Sequence, residues 1–290
     1  MKTAIVTGAT GFVGVHLVAE LLSSGVEVTA LCRKESPNLD RLPGQVEIVY
    51  DMDQLPEADV FYHLAWDGAS GPGRADAVLQ SSNVKLTLGA LAAAHRSGAK
   101  FVALGTVYER FYEQVIMSGE YRSSDFYILS KSYAHSISNQ MAYKLGCSFV
   151  WCQVCHPIGR LIKPEQLIAY TVSSLVSRDA PSYGPAENLF DIVAVEDVAK
   201  ALLLIGKQNT PRREYYIGSG APCLLRDYLE RAKQILDVPT PLLIGKRPDD
   251  GYVFDRGWLD ITPLSEDTGF APVISFEQAV QNVESWLKEC

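Results

Sequence analysis

The stretch TAIVTGATGFVGVH, residues 3–16, decides the fold predicted for this chain. An apolar run with β-branched side chains leads into Gly8, Gly11 and Gly14, and apolar residues then recur at helical spacing. This order predicts a strand, a tight turn and a helix. The first glycine would permit the turn, the second would let a pyrophosphate approach the backbone, and the third would let helix and strand pack closely.

Phosphate is favoured at such a helix N-terminus because free N–H groups and the positive end of the helix dipole point outward there. The same glycine spacing also suits a plain turn between a buried strand and a helix. Its place within a strand, turn and helix favours dinucleotide binding.

Composition indicates a soluble globular protein with one large domain or two closely joined ones. The 290 residues are 47% hydrophobic and 21% charged. A formal net charge of -8 argues against nucleic acid as a partner and still permits a local basic pocket for a phosphorylated small molecule. No charged segment precedes the first apolar run, which is too short to span a bilayer. We therefore expect a cytoplasmic protein with no signal peptide and no membrane partner.

Six cysteines include Cys152 and Cys155, a spacing found in metal sites. The surrounding SFVWCQVC, residues 148–155, predicts a strand, in which residues three apart point to opposite faces. The two thiols would then be unable to share a metal. We expect buried structural cysteines and no metal site.

Strand and helix patterns alternate along the first half of the chain. Strands are predicted at residues 26–32, 46–50, 60–63 and 100–104, and a helix at 81–97. This alternation predicts an α/β fold, a Rossmann-type doubly wound parallel sheet with helices on both faces.

We expect a dinucleotide-binding domain over residues 1–156 and a smaller, mainly substrate-binding α+β lobe over residues 157–290. Segments at about 188–218 would return to the first domain. In this part the pattern predicts helices at residues 164–176, 224–236 and 276–288, and strands at 191–194 and 214–217 that rejoin the parallel sheet.

The second predicted strand ends in Arg33 and Lys34. Cations at this place recognise the 2′-phosphate of NADP, whereas a carboxylate recognises the 2′-hydroxyl of NAD. The pair favours NADP(H), although the adjacent Glu35 keeps NAD as the alternative. Farther along, the glycine-rich AWDGASGPGRAD, residues 65–76, is predicted to be irregular. It is either a mobile substrate loop carrying Trp66 and Arg74 or a linker.

Tyr127 and Lys131 stand at the head of a predicted long helix, four residues apart and therefore on one face. A nearby ammonium favours phenolate, so such a tyrosine can exchange a proton with a hydroxyl or carbonyl near neutral pH. Thr106, after the preceding strand, can hold the same oxygen. Taken alone, the spacing also fits a surface pair.

Taken together, these motifs resemble the extended short-chain dehydrogenases/reductases, and more narrowly the NAD-dependent epimerase/dehydratase family acting on nucleotide sugars. The similarity covers nearly the whole chain and keeps its order. It is carried by TGATGFVG (7–14), HLAW (63–66), Asn83-Val84, GTVYE (105–109), Tyr127 with Lys131, FDIVAVEDVAKAL (190–202), YYIGSG (215–220) and LSEDTGFAPVISFEQAV (264–280).

The resemblance implies that Tyr127 is the general acid/base, that Lys131 lowers its pKa and holds the nicotinamide ribose, and that Thr106 orients the substrate oxygen. It also suggests a homodimer formed by helices near residues 84–97 and 127–145, which could instead be covered within one chain. The cofactor contacts expected are Gly8, Thr10, Gly11, Phe12, Val13, Gly14, Arg33, Lys34, Asp51, Met52, Leu64, Ala65, Trp66, Asn83, Tyr127, Lys131 and His156. The substrate contacts expected are Trp66, Arg74, Thr106, Val107, His156 and Arg247.

Two departures from the family pattern leave the sugar open. Where the family usually has arginine, asparagine and Tyr-Gly-Pro after the sixth strand, this chain reads QVCHPIGR, residues 153–160. His156 takes the place of an asparagine beside the substrate, and either contacts the substrate or is a buried histidine. In addition, Arg110 and Phe111 follow GTVYE in place of Tyr-Gly, so the loop up to Tyr121 is expected to be reshaped.

Three chemistries compete within the family. A 4,6-dehydratase is disfavoured, because its relatives carry acidic residues directly after the catalytic threonine and this chain has Val107 and Tyr108. The leading prediction is an NADP(H)-dependent oxidoreductase that reduces the 4-keto group of a nucleotide-activated (deoxy)sugar. An NAD-dependent nucleotide-sugar 4-epimerase is the alternative. A non-catalytic NADP-sensing protein would represent a different class, and would not need Thr106, Tyr127 and Lys131 together.

Overall fold

A seven-stranded parallel sheet forms the centre of the computed structural model, which describes residues 1–289. The strands of the described chain are β1 (Thr3–Thr7), β2 (Glu27–Leu31), β3 (Glu47–Val49), β4 (Val60–His63), β5 (Lys100–Leu104), β6 (Phe149–Val154), β7 (His156–Ile158), β8 (Leu189–Phe190), β9 (Ile192–Ala194), β10 (Glu214–Ile217) and β11 (Cys223–Leu224). The central sheet has the order β10-β6-β5-β4-β1-β2-β3. The predicted doubly wound parallel sheet is confirmed.

Helices cover both faces of this sheet. The described α-helices are α1 (Phe12–Ser23), α2 (Ala77–Arg96), α3 (Tyr112–Ser118), α4 (Asp125–Leu145), α5 (Leu167–Val176), α6 (Val195–Lys207), α7 (Leu225–Leu236), α8 (Thr262–Thr268) and α9 (Phe276–Glu289). Helix α1 packs beside α6, and α2 packs beside α4. Neighbouring strand residues divide between the two layers: Val6 and Tyr62 join the core under α1 and α6, whereas Ile5 and Phe61 join the core under α2 and α4. Because both faces are buried, these strands are continuously apolar.

The strand order reverses between β1 and β4, which leave the sheet side by side. Thr7 is paired with His63 in the parallel register, so the glycine turn after β1 lies next to the segment that follows β4. Such a switch point opens a crevice at the carboxyl ends of the strands, where open α/β sheets bind ligands. No helix within residues 1–289 combines the length and apolar character needed to cross a bilayer.

The later part of the chain forms a second core, in which α5, α7 and α9 pack against one another. The prediction that residues 214–217 return to the parallel sheet is confirmed, since β10 pairs with β6. The same prediction for residues 191–194 is wrong, because β9 pairs only with β7 in a separate two-stranded sheet. The edges of the central sheet are β10 and β3, and β9 lies beside neither of them.

The glycine-rich segment after β4 is more regular than predicted. Gly71–Ala75 forms a 3-10 helix that packs against α2 and α4. Cys152 and Cys155 pack into different cores, as expected for residues on opposite faces of β6 and its extension.

Candidate active site

The turn between β1 and α1 has the shape of a phosphate cradle. Gly8 has a φ of +69°, and a Cβ there would lie 2.7 Å from the backbone nitrogen of Ala65. A Cβ on Gly14 would lie 2.8 Å from the Cα of Ala9, so only glycine allows helix and turn to approach this closely. Helix α1 starts after Gly11. No side chain caps it, and its first turn, which the structure describes in full, contains no acidic residue. Its first N–H groups are therefore free to bind an anion, and this part of the chain fits a dinucleotide pyrophosphate.

The expected adenosine contacts lie at the ends of β2 and β3. Arg33 and Lys34 are exposed, and an Arg33 Nη1 lies 2.9 Å from a carboxylate oxygen of Asp67. The Thr10 hydroxyl, in the glycine turn, is 3.2 Å from the hydroxyl of Ser36. Six other expected cofactor contacts near this region are at least partly accessible. Asp51 is exposed, and the half-buried ones are Met52, Phe12, Val13, Leu64 and Ala65.

Tyr127 and Thr106 meet beneath the ends of the central strands. Tyr127 lies in the first turn of α4 and is only 6% exposed. The side chain of Thr106, which caps the 3-10 helix Val107–Phe111, lies close enough to act on the phenol. Burial raises the pKa of the Tyr127 phenol, while the positive charge of Arg74 and the nearby Thr106 hydroxyl oppose that shift.

Lys131 lies one turn farther along α4 but is held by other groups. Its ammonium donates a hydrogen bond of 2.9 Å to the carbonyl of Leu104 and lies 3.8 Å from the ring centroid of Trp66. Burial lowers the pKa of Lys131 to about 8, and the charge of Glu109 acts in the opposite direction. The cation that faces the phenol ring is Arg74, and the effect of Lys131 on the pKa of Tyr127 stays a prediction.

The segment from Trp66 to Arg74 is fixed to α2 by two buried amides. Gln80 accepts a hydrogen bond from the Trp66 indole and donates to the carbonyls of Gly68 and Gly73. Asn83 exchanges two hydrogen bonds with the backbone of Asp67, of 2.8 and 2.9 Å. The segment is thus an ordered loop that brings Trp66 and Arg74 into the site. Asn83, expected to contact the cofactor, supports this loop.

Glu109 is a buried carboxylate that sequence reasoning left without a role. It accepts hydrogen bonds from the backbone of Thr106 at 2.7 Å, from the Trp151 indole at 3.0 Å and from Gln153 at 3.2 Å. The ring of His135 also contacts it at 3.2 Å. Glu109 therefore fixes the position of Thr106. The spacing of Thr106 and Glu109, that of a capping box, was the signal available in the sequence.

His156 lies at the far side of the same site. Its ring stacks on Phe190 with 4.5 Å between centroids, its Nδ1 is 2.9 Å from the Cys155 thiol, and its Nε2 is 3.4 Å from the Tyr108 hydroxyl. Burial, aided by the charge of Arg74, lowers the pKa of His156 to about 3, so the ring is neutral. It is a largely satisfied histidine that reaches the site through Tyr108.

Two further substrate candidates are placed differently. Val107 is fully buried behind Thr106 and offers no side-chain surface to a ligand. Arg247 donates to the Ser182 hydroxyl at 2.8 Å and to the Tyr170 hydroxyl at 3.1 Å, in a separate cluster of the later lobe. The structure therefore brings together Trp66, Arg74, Thr106, Tyr127, Lys131 and, through Tyr108, His156.

The fold is Rossmann-like, and the glycine turn after β1 fits a bound dinucleotide. The family model described as the NAD dependent epimerase/dehydratase family matches residues 4–218. The chain is 27% identical over 308 residues to dTDP-6-deoxy-L-talose 4-dehydrogenase (NAD(P)(+)) of Kitasatospora kifunensis, covering 98% of this chain and 94% of that protein. It is 23% identical over 330 residues to dTDP-glucose 4,6-dehydratase of Xanthomonas campestris pv. campestris, covering 99% and 93%.

Among solved structures, the UDP-N-acetylglucosamine 4-epimerase of Methanobrevibacter ruminantium M1 matches with a TM-score of 0.83 at 19% identity, covering 99% of this chain and 98% of that one. The chain belongs to the NAD dependent epimerase/dehydratase family. The resemblance drawn from its motifs is thereby confirmed, and with it the prediction of an enzyme.

Proposed function

We propose that this protein is an NADP(H)-dependent oxidoreductase that reduces the 4-keto group of a nucleotide-activated (deoxy)sugar. The observation that carries the proposal is the buried Tyr127 phenol, close to the buried Thr106 at the crevice that also contains the glycine cradle. Similarity to a 4-dehydrogenase of a dTDP-deoxysugar along almost the full chain supports oxidoreduction at this sugar position.

In the proposed reaction Thr106 holds the substrate oxygen and Tyr127 gives that oxygen a proton. Burial keeps the phenol protonated, which suits a general acid. Glu109 keeps Thr106 in place through the hydrogen bond from its backbone N–H. When bound, the cofactor supplies the hydride. Val107 and Tyr108, where an elimination would need acidic groups, argue against a dehydratase.

Arg33 and Lys34 support NADP(H) as the cofactor, because both are exposed at the end of β2 beside the glycine turn. One observation favours the alternative, an NAD-dependent nucleotide-sugar 4-epimerase: Asp67 pairs with Arg33 and offsets part of its positive charge. Calorimetry with NADPH and NADH on the wild type and on Arg33→Ala separates the two. A preference for NADPH that the substitution removes supports the reductase, and a preference for NADH favours the epimerase.

The decisive test is turnover. The wild type is supplied with NADPH or NADH and a panel of dTDP- and UDP-linked 4-keto sugars, and in parallel with NAD and UDP-glucose to detect epimerisation. We expect reduced nicotinamide to be consumed with at least one keto sugar. Tyr127→Phe should lose this turnover while binding the cofactor as the wild type does. Unchanged turnover in that variant would contradict the assignment.

A further inference from the structure

Arg74 is the cation nearest to the proposed acid. The centre of its guanidinium lies 4.3 Å from the ring centroid of Tyr127 and 5.1 Å from that of Tyr108. Its proximity opposes the rise in the pKa of the Tyr127 phenol that burial causes. Its charge reaches His156, whose pKa it helps to lower. Arg74, which the sequence indicated only as a substrate contact, therefore lies against the proposed acid.

This guanidinium has no anionic partner among residues 1–289, since none of the carboxylates described there forms an ion pair with it. Its Nε is buried and lacks a hydrogen-bond partner. The guanidinium lies against two phenols, and its charge also acts on the neutral imidazole of His156. A partly buried cation left without a counter-charge is costly, so its environment is suited to a negative charge that arises only during the reaction.

The position of Arg74 is set by the fold. It lies in the 3-10 helix Gly71–Ala75, and the fully buried Gln80 ties the carbonyl of Gly73 to that of Gly68. A Cβ on Gly73 would lie 2.7 Å from the Cα of Gly68, so the loop is drawn in tightly at this point. A donor held in advance needs no rearrangement at the moment of reaction.

We propose that Arg74 is a catalytic residue that stabilises the negative charge formed on the oxygen atoms of Tyr127 and of the reacting sugar. The inference rests on the proposed function for the identity of that second oxygen. As hydride adds to the carbonyl carbon, the electron pair of the C=O bond moves to oxygen, which takes the proton of Tyr127. The phenol becomes phenolate beside Arg74 and is later protonated from solvent. Arg74 itself keeps its protons throughout.

The other nearby cation, Lys131, is held by groups different from those around Arg74. Its ammonium is engaged by the Leu104 carbonyl and lies over the Trp66 ring. The remaining titratable groups about Tyr127 are Glu109, whose charge raises the pKa of the phenol, and Tyr108. Neither residue is replaced in the Arg74 variants. The difference in the pKa of Tyr127 between variants therefore measures the effect of the guanidinium.

Four proteins test the inference: wild type, Arg74→Met, Arg74→Lys and the control Arg41→Met, which removes an exposed arginine. The first measurement follows ionisation of Tyr127 by carbon-13 NMR of labelled tyrosine, with its resonance identified by loss in Tyr127→Phe. Removing a cation at this distance should raise the pKa of the phenol by about 1 to 3 units. Arg74→Lys should restore part of the shift, and the control should match the wild type.

The second measurement is turnover with whichever nucleotide sugar the wild type accepts. We expect Arg74→Met to lower kcat by about 10²- to 10³-fold, with a smaller change in KM, and Arg74→Lys to recover part of it. If the wild type turns over no sugar of the panel, the proposed function fails while the NMR titration still tests Arg74. Coincident titrations of wild type and Arg74→Met overturn the inference. A wild-type phenol that stays protonated at every pH at which the protein is folded also overturns it.

Discussion

Lys131 is a buried ammonium, and its pKa of about 8 has a consequence for stability. Between about pH 8 and the ordinary lysine value near 10.4, the unfolded chain carries the proton and the folded chain does not, so stability rises with pH in this window. Relative to Lys131→Met, we expect the free energy of unfolding of the wild type to gain about 3 kcal/mol from pH 8 to 10.5. Urea titrations across this range measure it. Lys144→Met, on the exposed face of α4, is the control and should follow the wild type.

His156 is expected to affect the stability of the protein at acidic pH. Its pKa in the folded chain, about 3, lies below the ordinary value near 6.5. Between these pH values the histidine is protonated in the unfolded chain and neutral in the folded chain. The wild type should lose about 1.4 kcal/mol of stability per pH unit from this residue as the pH falls from 6.5 towards 3. His156→Gln should show a shallower loss in urea titrations, while His95→Gln, at an exposed position, should not. Parallel curves for wild type and His156→Gln would contradict the neutral, buried ring.

For single residues, the sequence predicted which side chains share a helix face. It did not predict which loop brings a side chain to that face. Tyr127 and Lys131 lie on one face of α4 as their spacing requires. The cation that reaches the phenol comes from Arg74, in a loop after β4 whose position depends on the side chain of Gln80. A contact of this kind depends on tertiary packing, which local spacing does not encode.

Among the elements, the β1–α1 unit gives the sharpest stability prediction. Gly14→Ala would place a Cβ against the backbone of Gly8 and Ala9, which cannot move without opening the turn. We expect the substitution to cost about 1 to 3 kcal/mol in the free energy of unfolding and to weaken cofactor binding. Gly44→Ala is the matched control, since a Cβ there meets nothing within 4 Å. Chemical denaturation and calorimetry with NADPH compare the two. Equal stability of the two variants would contradict this prediction, because it would mean that the turn accommodates the Cβ by shifting its backbone.

The predicted elements are largely present, and their errors have local causes. The helix expected at residues 81–97 begins earlier, at Ala77, because the side chain of Asp76 caps it by accepting from the N–H groups of Val78 and Leu79. The pairing of β9 with β7 was not predictable from its residues, since an apolar strand fits any free edge. Edges are set by the order of strands far apart in the sequence.

For the molecule as a whole, the outer face of α2 and α4 carries apolar surface that residues 1–289 leave uncovered. Tyr133 is 58% exposed in a groove between the two helices. The groove is lined by Ser81, Val84, Lys85, Leu88, Leu129, Ser130 and Tyr133. We propose that a second copy of the chain covers this face in a homodimer, which is the first of the two arrangements that the family resemblance left open.

An aspartate placed in this groove would lose its water in the assembled dimer without gaining a partner, so Tyr133→Asp should dissociate it. Sedimentation velocity at one protein concentration measures the effect: the wild type should sediment as a dimer and Tyr133→Asp as a monomer. Met117→Asp, at an 82% exposed position on α3, should remain a dimer. A monomeric wild type would contradict the dimer itself, and a dimeric Tyr133→Asp would place the interface on another face. Because Tyr133 shares α4 with Tyr127, the turnover of the monomer would also show whether pairing supports the helix that carries the acid.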